Sequence, residues 1–340
     1  MLTCPADGAR LLDAEGDLSC TKCGARYAIR GGIPRFVGRA DDRYLSQVKD
    51  AFSFKWTRDA WGFAPEHREV MLRFFCDRFG FAGAAEIAAF FRGKTVLHAG
   101  IGNGQEEQHY LHHCREVWGA DISESVDRCQ RNWREHHPAL ADRLRLCQAD
   151  LMALPFADGS FDLVLSDGVL HHTPDTRAAL TAIVRKVRDG GHVMFYVYKK
   201  KGPIREFVDD YVRGQISALP PAEAWKALEP LTALARDLSR QHLTIEVPEN
   251  IELLGMAKGR QDLQRWLYWN VMKFYWNEAF SFDENNHVNF DWYYPFYAWR
   301  STQEDVQDWL DQLNLTAEWF QVGDSGISVI ARKNAHRNPV

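Results

Sequence analysis

Thr95–Ser123, TVLHAGIGNGQEEQHYLHHCREVWGADIS, decides how the rest of the chain is read. Val96 and Leu97 begin a buried strand, Gly100, Gly102 and Gly104 make a glycine-rich turn, and the spacing predicts a helix from about Gln105. A second strand, Glu116 to Ala120, ends at an acid, Asp121. Strand, glycine turn, helix, strand and acid is the order of a nucleotide-binding βαβ unit. Glycine lets the backbone approach a ligand where a Cβ would collide, and an acid at the second strand tip can accept both hydroxyls of a ribose. The spacing is GxGxG rather than GxGxxG. That favours a nucleoside with a short polar tail over a dinucleotide.

Segments further along the chain strengthen the reading. Gln148–Phe156 (QADLMALPF), Phe161–Asp175 (FDLVLSDGVLHHTPD) and Val187–Tyr198 (VRDGGHVMFYVY) look like successive motifs of a class I S-adenosylmethionine (SAM) methyltransferase. A matching tail, Ser301 to Lys333, closes the pattern. The resemblance implies an α/β fold: a Rossmann-like seven-stranded sheet with helices on both faces and a strand hairpin at one edge. It implies SAM as cofactor, the ribose on Asp121 with Ile122 beside it, and the adenine near Asp150 and the amide of Leu151. Gly100, Gly102, Gly104 and Ser166 belong to the same cofactor set. Two positions depart from the family: His98 stands where an Asp is usual, which removes the expected carboxylate near the SAM amino group, and Asp189 stands where a Pro is usual.

Methyl transfer requires alignment, exclusion of water and a proton acceptor where the nucleophile carries a proton. Ser166 to His172 lies at the fourth strand end, so Asp167, His171 and His172 are the candidate catalytic residues, with His171 preferred as base. In the family this histidine pair also serves only to shape the cofactor pocket, and that alternative stays open.

Before the core, Cys4-Pro-Ala-Asp7-Gly8 and Cys20-Thr-Lys-Cys23-Gly24 align as two zinc knuckles. Zinc takes four tetrahedral ligands and accepts carboxylate oxygen. Cys4, Asp7, Cys20 and Cys23 are therefore candidate ligands of a structural zinc, against a degenerate ribbon that has lost its metal. Residues 1–38 form this zinc-ribbon-like module and 39–92 a helical lid and linker. The SAM-binding core occupies 93–200, an inserted substrate cap 201–300, and the core resumes over 301–335. Phe54, Trp56 and Trp61 read either as a lid whose rings face a sulfonium or as packing between helices. The insertion exceeds an ordinary connection. Its helical runs are Ile204–Ile216, Ala222–Gln241 and Gly259–Tyr275, followed by an aromatic block ending in NFDWYYPFYAWR. His287, Trp292, Tyr293, Tyr294 and Arg300 are the expected substrate contacts, with Arg300 placed to hold an acidic group; a homodimer contact is the rival use of this surface.

The chain has 340 residues, a net charge of −5 and 12 tryptophans among 13% aromatic residues. The acidic balance argues against nucleic acid as partner, although RNA methylation remains a rival because some rRNA methyltransferases begin with a zinc ribbon. Other rivals are a SAM-binding module without catalysis and an enzyme using the sulfonium only as a charge. Seven cysteines, two at metal spacing, suit a reducing cytoplasm. No stretch nears the ~18 apolar residues of a membrane span, and the first residues do not resemble a signal peptide. The expected activity is methyl transfer to O or N of a small or medium organic molecule.

Overall fold

Four short strands, Leu11–Ala14 (β1), Asp17–Cys20 (β2), Arg26–Arg30 (β3) and Ile33–Pro34 (β4), form an antiparallel meander at the N-terminus of the computed structural model. The structure describes residues 2–37, 43–57, 63 and 65–335; Trp61 lies outside them. Helices Arg43–Thr57 (α1), Pro65–Phe79 (α2) and Ala84–Phe91 (α3) come next.

The core then runs Thr95–Ala99 (β5), Glu116–Asp121 (β6), Ser125–His136 (α4), Leu144–Gln148 (β7), Phe161–Asp167 (β8), Thr176–Lys186 (α5) and Val187–Tyr198 (β9). The insertion consists of Pro203–Ile216 (α6), Pro221–Arg240 (α7), Thr244–Val247 (β10), Gly259–Asp262 (β11), Leu263–Asn270 (α8) and Phe282–Tyr293 (α9). Gln303–Gln312 (α10), Leu315–Val322 (β12) and Gly326–Lys333 (β13) close the chain. The seven-stranded sheet has the order β12-β13-β9-β8-β5-β6-β7, with β13 antiparallel to both neighbours and the remaining pairs parallel. This is the Rossmann-like methyltransferase sheet that the motifs imply.

Alternation along the strands fills both faces. Leu97, Ala99, Val164 and Phe195 enter the core beneath α5 and α10. Val96, Val117, Leu163 and Met194 enter the one shared with α2, α3 and α4. Each of the larger side chains contributes roughly 1.5–3 kcal/mol when fully buried, so the loops at the strand ends stand on a firm platform.

Three local readings change. Instead of a helix from Gln105, two tight turns of 3₁₀ type cover Glu106–His109 and Leu111–His113. The winding brings two consecutive acids against His98: Glu107 Oε1 lies 2.5 Å from Nδ1 and Glu106 Oε2 3.7 Å from Nε2. Ser301-Thr-Gln-Glu304 has the spacing of a capping box, but the helix is capped by Thr302 with Asp305. Ser301 is already committed to the backbone, its N–H donating to Tyr198 O at 2.8 Å and its carbonyl accepting from Lys200 N at 3.0 Å. The run Gly259–Tyr275 divides into β11 and α8, because Asp262 caps the helix by accepting from Arg265 N.

The aromatic block is helical over Phe282–Tyr293. Ser281 and Glu284 form a capping box that starts α9, and Trp292, Tyr293 and Tyr294 pack with Phe290, Trp225 and Leu228 into the insertion's own core. Tyr196 and Tyr198 of β9 join that cluster, which fixes the insertion over the sheet.

Candidate functional site

The carboxyl ends of β5, β6, β7 and β8 open on a cavity of about 580 Å3. Residues of α1, α2, α8 and α9 wall its other sides. Gly100, Asp121, Ile122, Asp150, Leu151, Trp56, Asp167 and His172 all line it, so the structure gathers eight of the expected residues into one space. Gly100 has φ +95°, and a Cβ there would stand 2.3 Å from Val169 Cγ2; only glycine fits this turn. Asp121 Oδ2 accepts from Gly102 N at 3.0 Å, while Oδ1 accepts from Ser123 N at 2.9 Å and Ser123 Oγ at 2.6 Å. The acid therefore ties down the glycine loop as well as facing the cavity. Burial pushes the Asp150 carboxyl up, against the hydrogen bond it accepts from Met152 N.

Other expected residues stand behind this wall. Gly104 makes room for α4, since a Cβ would meet Cys129 Sγ at 2.5 Å, and its carbonyl accepts from Trp133 Nε1 at 2.8 Å. Ser166 Oγ donates to Ala99 O at 2.9 Å and fastens β8 to β5. His98 is buried, shared between Glu107 and the Tyr110 hydroxyl at 3.3 Å. The cavity instead receives Glu106, whose carboxyl burial and the neighbouring Asp167 and Glu107 hold well above the usual range.

Of the candidate catalytic groups, Asp167 is held by Arg78 Nη1 at 2.5 Å from both oxygens. His171, the preferred base, is fully buried and stacked on Tyr198 at 3.6 Å, outside the cavity lining. His172 lines the cavity. Its Nδ1 donates to Tyr297 O at 2.6 Å, which leaves Nε2 unprotonated, buried and, among the described residues, without a partner. Burial lowers its pKa to about 4, so it is neutral at pH 7.

The expected substrate contacts fall elsewhere. Trp292 Nε1 and Tyr293 OH both donate to Asp209, at 2.8 and 2.9 Å, and Tyr294 OH donates to Leu219 O at 2.8 Å. Arg300 pairs with Glu206 and Asp210 at 2.8 and 2.7 Å. None of the four lines the cavity, and neither does His287, whose ring lies 5.4 Å from that of Trp56. The insertion reaches the cavity through Arg265, Tyr268, Trp269, Lys273, Tyr275 and Asp291. Burial pushes the Asp291 carboxyl up, but Lys55 at 2.7 Å and His172 hold it below the usual carboxylate range. Glu106-Glu107 behind the glycines and the solitary Lys273 in a run of aromatics were the sequence signals that could have pointed to this set.

Outside the cavity lining, ligand atoms of Cys4, Asp7, Cys20 and Cys23 lie within 4.8 Å of one another. The two knuckles turn alike, with Gly8 N donating to Cys4 O at 2.8 Å and Gly24 N to Cys20 O at 3.2 Å. Among the described residues no helix is long and apolar enough to cross a membrane.

Residues 97–195 match the model of a methyltransferase domain. A phthiotriol/phenolphthiotriol dimycocerosates methyltransferase from Mycobacterium ulcerans (strain Agy99) is 29% identical over 52% of this chain and 63% of its own length. The 27-O-demethylrifamycin SV methyltransferase of Amycolatopsis mediterranei (strain S699) is 34% identical over 30% of this chain and 37% of its own. A tRNA (carboxymethyluridine(34)-5-O)-methyltransferase from Macaca fascicularis is 31% identical over 36% of this chain and 17% of its own. The chain thus spans less than two thirds of the length of these relatives. Sheet order, motifs and matched model together place residues 97–195 among the class I, SAM-dependent methyltransferase domains.

Proposed function

We propose that the chain transfers a methyl group from SAM to O or N of a small or medium organic molecule bound beneath the insertion. The carrying observation is that the glycine turn and the carboxyl groups of Asp121, Asp150 and Glu106 open on one cavity whose opposite walls are aromatic. The donor set fits the cofactor. Asp121 suits a ribose diol, Asp150 with the Leu151 amide suits adenine, and Glu106 offers the amino-acid tail the carboxyl that His98 does not, the tail's ammonium being the counter-charge that would bring it to its ionised form. Bound there, SAM supplies an electrophilic methyl carbon.

The chain's own residues would do the rest. Trp56 and Phe52 exclude water, and the rings of the insertion orient the acceptor. His172, neutral and on the cavity wall, is the candidate to take the acceptor's proton, its buried Nε2 reaching the acceptor by a turn of the ring. A base this weak is adequate, because an oxygen or nitrogen becomes strongly acidic as it is methylated. A pocket enclosed on several sides and a net charge of −5 favour a small acceptor over RNA.

Calorimetry with S-adenosylhomocysteine, the product form of the cofactor, is expected to give one site per chain. Glu106→Gln should weaken it about tenfold, the order of one charged hydrogen bond. Absence of binding to the unaltered protein would remove the reading.

The N-terminal cluster supports a structural zinc held by Cys4, Asp7, Cys20 and Cys23. Thiolates about 2.3 Å from a tetrahedral zinc stand ~3.8 Å apart, and Cys4 Sγ lies 3.7 Å from Cys23 Sγ. Elemental analysis of protein purified without chelator is expected to find about one zinc per chain. Asp7→Cys should retain or tighten it, because thiolate is the better ligand. A metal-free preparation would favour the degenerate ribbon.

A further inference from the structure

The insertion's side of the cavity holds two cations that, among the described residues, no carboxylate meets at ion-pair distance. Lys273 comes shortly after α8, is 7% exposed and lines the cavity. Its Nζ rests over the Trp292 ring, 4.5 Å from the centroid, and has no hydrogen bond or ion pair among the described residues. Arg265 lies on α8, three residues before Tyr268, with its guanidinium 5.0 Å from that ring's centroid and 6.0 Å from that of Trp269. It too has no carboxylate partner among the described residues.

The carboxylates nearby are committed elsewhere. Asp291 takes Lys55 and the Tyr198 hydroxyl, and Asp167 takes Arg78. Asp209 takes Arg205, Trp292 and Tyr293, and Glu206 and Asp210 take Arg300. An ammonium buried without a partner is costly. A methionine would fill the same space against Trp292 at no electrostatic cost, so stability does not account for this lysine. Burial, with Arg205 and Lys55 adding to it and the more distant Asp291 and Asp209 opposing it, has already brought it down to about 7, and an anion entering the cavity would restore its charge. Unpaired, displaced groups of this kind mark binding sites.

We propose that the acceptor is an organic carboxylate, its acid group held by Lys273 and Arg265 and its apolar body lying against Tyr268, Trp269 and Tyr275. This deepens the methyltransferase reading and rests on it for the word acceptor, but the recognition of the acid is separable. Arg300, the sequence candidate for this task, is occupied by Glu206 and Asp210, and the role passes to two cations that remain open.

The test uses the full chain and four probe acids: benzoate, cinnamate, indole-3-acetate and decanoate, each compared with its primary amide by calorimetry. Titrations are run with and without S-adenosylhomocysteine. At least one acid should bind tenfold or more tightly than its amide. Lys273→Gln and Arg265→Gln should each remove most of that preference while leaving S-adenosylhomocysteine affinity within about twofold. Arg265 is exposed, so its variant reads the site even if the Lys273 variant folds poorly. No preference for any acid, or a preference that survives in Arg265→Gln and in every folded Lys273 variant, overturns the proposal. Failure of S-adenosylhomocysteine to bind the unaltered protein overturns the methyltransferase reading instead, since the acid preference is also measured without it.

Discussion

Replacing Asp121 by alanine is expected to lower SAM affinity at least tenfold and to destabilise the fold by about 2 kcal/mol. The carboxylate accepts three hydrogen bonds, from Gly102 N, Ser123 N and Ser123 Oγ. Bonds to a charged acceptor contribute about 1.5–3 kcal/mol each and do not add. Their loss frees the glycine loop at the moment when the ribose also loses its acceptor. Calorimetry with S-adenosylhomocysteine and thermal melting separate the two effects. A lower melting temperature with unchanged affinity would make Asp121 a loop tie only and withdraw the ribose assignment.

Lys273→Met should act in the opposite direction on stability. Burial lowers this lysine to about 7 in the folded chain, against ~10.4 for a free lysine. Between those values the unfolded chain binds more protons, so stability rises with pH across that window. The penalty is complete below about pH 7 and fades as the pH approaches ~10.4. At roughly 1.4 kcal/mol per unit, methionine is expected to stabilise the protein by about 4 kcal/mol near pH 7. For a chain of this size that is a rise in melting temperature of roughly 5 °C. The gain should shrink to under ~1 kcal/mol at pH 10. A gain of the same size at both pH values would show that packing, not charge, is responsible; no gain at all would show that the ammonium is solvated in the cavity. Stability gained at the cost of acid binding is the usual exchange at a functional position.

The sheet was legible because its signals are local. Short apolar runs, glycines where φ turns positive and acids at the tips of β6 and β7 stand next to one another in the chain. The two knuckles were legible for the same reason. The insertion was not. Trp292, Tyr293 and Tyr294 announce burial by composition, but nothing near them in sequence names Asp209, more than 80 residues earlier, as their partner. Arg300 looked free because Glu206 and Asp210 are equally distant in the chain. His171 and His172 are neighbours of one residue type. Which of them meets the cavity depends on Tyr198 and Tyr297, contributed by β9 and the segment after α9.

The way the N-terminal meander ends bears on how the protein can be handled. β7 is the last strand of the large sheet, and beyond it the backbone of Arg35 and Phe36 continues the pairing, with Phe36 N donating to Gln148 O at 2.7 Å. Phe36 also packs into the core that contains Trp118 and Phe156, and Arg35 reaches Asp127 of α4 at 2.6 Å. An uncovered parallel edge offers its amides and carbonyls to any other chain. A shortened version beginning at α1 would therefore carry a bare, sticky margin beside an opened apolar seam. It should precipitate, or associate edge to edge, more readily than the intact chain.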